Sequence, residues 1–246
     1  MTREEIRDLS RKKLGETTAA FWTDTEINTY INLGCKDIAQ RTKCLRSNTT
    51  IGVASCVATT AGSASDSNEI TISDHISNFF SVIDAEFMQE GTDWVKLTPT
   101  SRDELNSISP GWKTSIGYTY TNTAGTTTYN YDSHPSTPTH YYYDREEDIL
   151  GIYPPPDDDN EGDYLKVFYT YNHSDLSADS ESPILPTPLH LAVVDFVVAT
   201  GFETRGLGEK ANDTWQKYFS RIKDYLIEKR VEMEDSEIIM KSYRNI

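Results

Sequence analysis

The sequence predicts an α+β fold: a helical bundle built from N- and C-terminal helices, with an inserted antiparallel β domain. Three observations predict it. Residues 2–43 hold two capped, one-sided helical repeats. Residues 187–232 read as a helical hairpin. Between them, helix formers are scarce, and Thr, Tyr and β-branched residues recur at alternate positions. The expected boundaries are 1–47 for the N-terminal helices, 48–174 for the β domain, 175–233 for the hairpin and 234–246 for a C-terminal tail.

The elements follow in order. Thr2 and Glu5 form a capping box ahead of Ile6 and Leu9, and Gly15 ends that helix. Thr23 and Glu26 form a second box, with Trp22 and Ile27 as its hydrophobic staple. Tyr30, Ile31, Cys35 and Ile38 then line one face up to about Lys43. Asp24 and Glu26 at the start, and Lys36, Arg41 and Lys43 towards the end, complement the helix dipole. Ile51, Val53 and Val57 open the β region, and residues 69–73 read as a short strand. Strands over 81–87 and 94–97 make a hairpin with Gly91 in its turn. Residues 100–108 are expected to form one or two helical turns.

Residues 112–138 are rich in Thr, Tyr, Asn and Gly. They predict an extended loop or a long hairpin projecting from the body. Strands at 139–144 and 149–153 flank a charged turn, and Pro154-Pro155-Pro156 stops the second. In 163–172, Leu165, Val167, Tyr169 and Tyr171 alternate with Tyr164, Lys166, Phe168 and Thr170, the pattern of a half-buried strand. A proline-punctuated connector over 175–188 leads into the hairpin.

The first arm of the hairpin takes Thr187 as N-cap and Pro188 at its first position. Leu189, Leu191, Ala192, Val193, Val194, Phe196, Val197, Val198 and Ala199 make it apolar almost all round, so it is expected at the centre. Arg205 suits its last turn and Gly206 its C-cap. The second arm has one stripe: Ala211, Trp215, Tyr218, Phe219, Ile222, Tyr225 and Leu226. The expected bundle core sets Leu189, Val193, Phe196 and Val197 against Trp215, Phe219 and Ile222, with Ile27, Ile31 and Ile38 closing the other side. Asp195 interrupts the apolar arm, and a buried carboxylate requires a partner, here expected on a neighbouring helix.

Acidic residues outnumber basic ones, 39 to 23, for a net charge of −16. Such a chain does not grip nucleic acid through its overall field. Cys35, Cys44 and Cys56 show no CxxC spacing and read as reduced thiols. Residues 1–10 predict no signal peptide, and no apolar run approaches the roughly 20 residues of a membrane span.

Catalytic patterns are missing. Gly206 to Ala211 spell GxGxxA, but a helix precedes them where a dinucleotide site needs a strand. Asp157, Asp159, Glu161 and Gly162 resemble the start of a calcium loop, yet Phe168 stands where its bidentate glutamate belongs. His75, His134, His140, His173 and His190 show no ligand spacing, and no GxSxG elbow occurs. The expectation is a protein that is not an enzyme and has no cofactor or metal.

Three stretches carry a family resemblance. They are Phe21-Trp22-Thr23-Asp24-Thr25-Glu26-Ile27-Asn28-Thr29-Tyr30-Ile31-Asn32; Tyr141-Tyr142-Tyr143 with Ile149-Leu150-Gly151-Ile152-Tyr153-Pro154-Pro155-Pro156-Asp157; and Leu185-Pro186 through Leu189 with the helical pair that follows. In this order they resemble the head-to-tail adaptors, also called connector or head-completion proteins, of tailed bacteriophages. The resemblance implies a structural virion protein that forms a ring, commonly dodecameric, beneath the portal. The ring would extend the DNA channel and provide the tail docking platform, serving genome packaging and ejection. The implied partners are the portal protein, a downstream tail or nozzle protein and further copies of the chain. Genomic DNA would pass without sequence-specific binding, and no membrane is involved. The implied location is the virion neck, after assembly in the host cytoplasm. Residues 112–138 exceed what such proteins need.

In the tail, Glu232, Glu234, Asp235 and Glu237 oppose the helix dipole, so the helix is expected to fray there. Ile238, Ile239, Met240, Tyr243 and Ile246 then cluster apolar side chains. They either fold back onto the bundle or, as the resemblance implies, bind the portal. Two other functions stay open. One is a β-rich tail or fibre component binding a cell-surface glycan through Trp94, Trp112 and the tyrosines. The other is a hydrolase of a surface polymer, which needs a carboxylate pair in a cleft.

Overall fold

A computed structural model describes residues 1–16, 19, 21–52, 69–88, 93–108, 119–122, 125–128, 137–154 and 164–243; side chains are described up to residue 230, except at 108 and in 119–128. The helices are α1 (Arg3–Leu14), α2 (Asp24–Thr42), α3 (Arg102–Ile108), α4 (His190–Thr204) and α5 (Gly208–Tyr243). The strands are β1 (Arg46–Gly52), β2 (Glu69–Thr71), β3 (Phe79–Met88), β4 (Val95–Lys96), β5 (Thr98–Pro99), β6 (Thr119–Asn122), β7 (Gly125–Thr128), β8 (His140–Asp144), β9 (Ile149–Tyr153) and β10 (Tyr164–Tyr171). The fold is α+β. It divides into two compact units, Met1–Leu45 with Tyr171–Ile246, and Arg46–Thr170.

The helical unit is built on its caps. The Thr2 and Thr23 side chains accept from the backbones of Glu5 and Glu26, whose carboxylates reach back to the cap N–H groups. Gly15 closes α1 in the left-handed region at φ 82°. Gly206, at φ 73°, closes α4: its N–H and that of Leu207 bond to the carbonyls of Glu203 and Phe202, a Schellman motif. One local expectation fails. Thr187 is not the side-chain cap of α4. A 3-10 turn over Thr187–Leu189 runs straight into that helix, and no side chain caps either.

α4 is central. Ala192, Val193, Val194, Val197, Val198 and Ala199 are buried in it, Leu189 is buried in the turn before it, and Leu191 is 38% exposed. Ile27, Ile31, Ile38 and Ile222 share its cluster, with Phe196 and Trp215 partly buried against it. Phe219 departs from the expected core and is 48% exposed. The stripe of α5 is wider than the face its neighbours cover. Ala211, Thr214, Tyr218 and Ile222 fill the buried line, and Phe219 falls one position past it.

Two polar centres tie the helices. Asp195 is 1% exposed, and its carboxylate accepts from Lys13 Nζ of α1 at 2.8 Å and Arg221 Nε of α5 at 2.6 Å. Asp179, in the connector before α4, takes Arg3 and Arg7 of α1 at 2.7 and 2.8 Å. The hydrogen bonds from Arg7 and Arg3 hold its pKa down to about 2.

α5 continues as helix to Tyr243 rather than fraying near 234. The acidic run lies about two turns before the last described helical residue, Tyr243. Lys241 follows Glu237 at i,i+4 spacing, and neither Gly nor Pro interrupts the segment.

The β unit holds two four-stranded sheets, ordered β1-β10-β3-β4 and β2-β9-β8-β5. β1 with β10, β3 with β4, β2 with β9 and β8 with β9 pair antiparallel, while β5 with β8 is parallel, so one sheet of the expected antiparallel domain is mixed. β5 reaches β8 through backbone bonds from Thr98 to Thr139 and from Thr100 to Tyr141. Ile51, Ile70, Ile72, Ala85, Phe87, Leu97, Leu150, Ile152, Leu165 and Val167 form the core. β2 ends at Thr71, before a 3-10 turn, and so is shorter than expected. Thr170, on the side of β10 expected to face outward, is buried because its hydroxyl pairs with that of Ser81 at 2.8 Å. Gly151 lies opposite Tyr142, and a Cβ there would meet the tyrosine ring at 2.1–2.2 Å. β6 and β7 pair with each other over 119–128, inside the segment expected as a loop or hairpin. Val53, Cys56, Val57, Gly91, Trp112, His134, the acidic turn from Asp157 to Gly162, and Ile246 lie outside the described residues.

Candidate interaction surface

The helical unit opens a groove of about 430 Å³ lined by Asp37 and Arg41 of α2, Phe196 of α4, and Asn212, Trp215 and Phe219 of α5. Gly34 permits its floor. A Cβ at that position would stand 2.9 Å from Phe196 Cδ1, so a side chain on α2 would push the ring away. Phe196 meets Trp215 edge-on at 5.3 Å and 88°, and Tyr218 at 5.6 Å and 66°. Trp215 stacks on Phe219 at 6.0 Å and 27°. Edge-to-face and offset pairs of this kind add to the energy of area burial.

Polar groups fix the rim. Trp215 Nε1 donates to Glu203 Oε1 at 2.7 Å. Arg41 Nε donates to Asp37, one helical turn away, at 2.7 Å, and the guanidinium sits 5.4 Å from the Phe219 ring centroid. The Tyr218 hydroxyl donates to the same carboxylate. Burial, then that bond to Asp37, pushes the Tyr218 phenol well above its ordinary pKa. The hydrogen bond to Asp37 likewise raises Arg41. The result is an aromatic surface with one fixed cation over an exposed ring. It offers stacking area and a positive charge, which suits protein contact.

The structure places the other sequence-derived residues elsewhere. Ile238, Ile239, Met240 and Tyr243 fall within the helical span of α5, beyond the described side chains. Trp94 is 37% exposed, but Lys166 Nζ stands 5.3 Å from its ring centroid. His173 and His190 are buried in the helical unit. Among the described residues no group of His, Cys, Asp or Glu is arranged to hold a metal. Cys35 and Cys44 are free thiols, and burial pushes Cys35 up to about 12. Sequence reasoning missed Asp37 and Asn212 in the groove. The i,i+4 spacing of Asp37 and Arg41 was visible, but Arg41 read only as a complement to the dipole.

A family model described as SU10 adaptor protein matches residues 1–238. The chain belongs to the SU10 adaptor protein family. The match spans both structural units and reaches Ile238 in α5. No curated protein matches the chain. Membership makes the protein a phage adaptor, a structural component of the virion. No described helix of this SU10-family adaptor is long and apolar enough to cross a membrane.

Proposed function

We propose that this adaptor assembles as a ring, a dodecamer by the family resemblance, beneath the portal protein. The ring extends the DNA channel and provides the platform on which a downstream tail or nozzle protein docks. The observation that carries this reading is the family match over residues 1–238. Two physical features support it. The net charge of −16 repels phosphate, so DNA can pass a wall of such subunits without sticking. The aromatic groove exposes the kind of area that subunit contacts bury. In this reading the protein is not an enzyme, binds no cofactor, and is assembled in the host cytoplasm.

The C-terminal part of α5 is the proposed portal anchor, through Ile238, Ile239, Met240, Tyr243 and Ile246. α5 is 36 residues long, roughly 54 Å at 1.5 Å per residue. Among its described side chains the last buried one is Ile222, and Leu226, Ile227, Glu228 and Arg230 are exposed. Truncation after Met233 is expected to leave unfolding unchanged to within about 0.5 kcal/mol, the usual effect of a surface change. The same truncation is expected to abolish attachment to portal-bearing heads in sedimentation. Heads that retain the truncated protein at the wild-type level would refute the anchor.

A further inference from the structure

We propose that His173 and His190 form a proton-sensitive latch that holds the connector before α4 onto the helical bundle and loosens it in mild acid. Both rings are almost completely buried, at 2% and 6% exposure. Their hydrogen bonds fix them as neutral tautomers. The backbone N–H of Ile184 donates to His173 Nε2 at 3.0 Å, so that nitrogen carries no proton. Nδ1 carries it and donates to the carbonyl of Ser174. His173 thus joins the start of the connector to its end, eleven residues on. His190 is arranged the other way round. The Met1 ammonium faces Nδ1 at 2.8 Å and has only protons to give, so Nδ1 accepts. Nε2 then donates to the Leu185 carbonyl at 3.0 Å.

A second proton on His173 meets no hydrogen-bond acceptor among its described partners, and at His190 the Pro183 carbonyl adds to that of Leu185 without relieving the side that faces Met1. On His173 it would point at the Ile184 N–H. On His190 it would point at an ammonium. The surrounding charges do not relieve this. From α1 the rings meet the Met1 ammonium, with Arg3 near by on the Leu176 carbonyl. From α2, Lys36 stands against Asp175 at 2.7 Å, so the carboxylate that favours the charged form of His173 is already paired. The two histidines also oppose each other's protonation. Burial is the main cause that lowers both below the ordinary histidine value.

The sign follows. The unfolded chain takes up protons near pH 6.5, and the folded one only at lower pH. The stabilisation is therefore complete above about pH 6.5 and is lost as pH falls towards the folded values, by up to tenfold in the folding constant per pH unit for each histidine. The Asp179 clamp on the same connector holds until below the ordinary carboxylate range, so acid opens the latch before the clamp.

Urea unfolding of the full chain at pH 7.5 and 5.5 tests this, with H173Q, H190Q and the double variant. Glutamine keeps an acceptor and a donor but does not titrate in this range. The wild type is expected to lose the most in its folding constant between the two pH values, by at most about tenfold per pH unit for each histidine, each single variant less, and the double variant least. A double variant with the wild-type pH dependence would overturn the proposal. Should the variants not fold, NMR titration of the wild-type rings decides. Midpoints below the ordinary histidine value, with the Ile184 amide shifting in step, support the latch. Midpoints at or above about 6.5 overturn it.

Discussion

Replacing both cations around Asp195, as Lys13→Met with Arg221→Met, is expected to destabilise the helical unit by about 3–5 kcal/mol. The reason is an asymmetry of burial. The Asp195 side chain is 2% exposed, while Lys13 and Arg221 are 38% and 41% exposed. Losing the cations strands an anion in an apolar helix, where water cannot reach it. Losing the anion, as in Asp195→Asn, frees two side chains that rehydrate at the surface. The asparagine variant is therefore expected to cost clearly less than the double methionine variant. Either single methionine variant should also fall short of half the double effect, since one cation still serves the carboxylate. Urea unfolding at neutral pH reads all four. A double variant within about 1 kcal/mol of wild type would show that Asp195 is neutral or solvated.

Tyr218→Ala is expected to cost about 3–5 kcal/mol, the range for truncating a fully buried aromatic side chain. Tyr218 is 0% exposed and lies edge-on to Phe196, Trp215 and Phe219. Its removal would leave a void beneath the groove and loosen three rings at once. Tyr218→Phe keeps the ring and loses the hydroxyl's bonds to Asp37 and Arg41, which still pair with each other, so about 1 kcal/mol is expected. The contrast between the two variants separates packing from the hydrogen bond. Equal losses would place the energy in the hydroxyl instead. Near-ultraviolet circular dichroism should report the same order, since three of these rings form one aromatic cluster with Trp215.

What was legible in the sequence was local. The boxes at Thr2 and Thr23, the Trp22 staple and the Gly206 cap are complete within a few residues, so short-range chemistry decides them. The apolar circumference of α4 was equally plain. Contacts between distant segments were not. Asp195 announced a missing partner, but Lys13 lies 182 residues away and nothing in its own neighbourhood points to it. Phe219 could not be told from Ile222 by periodicity, because a stripe records which residues are apolar and not how much of it a neighbour covers. The groove depends on Gly34, Phe196 and Phe219 meeting from three helices, and no one segment carries that signal. The connector histidines were passed over for want of metal spacing. Their role rests on which hydrogen-bond partner each ring nitrogen meets in the fold.

The ring beneath the portal is the central claim, and a mass measurement of the protein alone and mixed with its portal protein tests it most directly. The wild type is expected to form a discrete complex of ring stoichiometry with the portal. Phe219→Asp, which alters an exposed side chain in the groove, is expected to fold normally and to form no such complex. A wild-type protein that keeps its own mass in the presence of the portal would contradict the account.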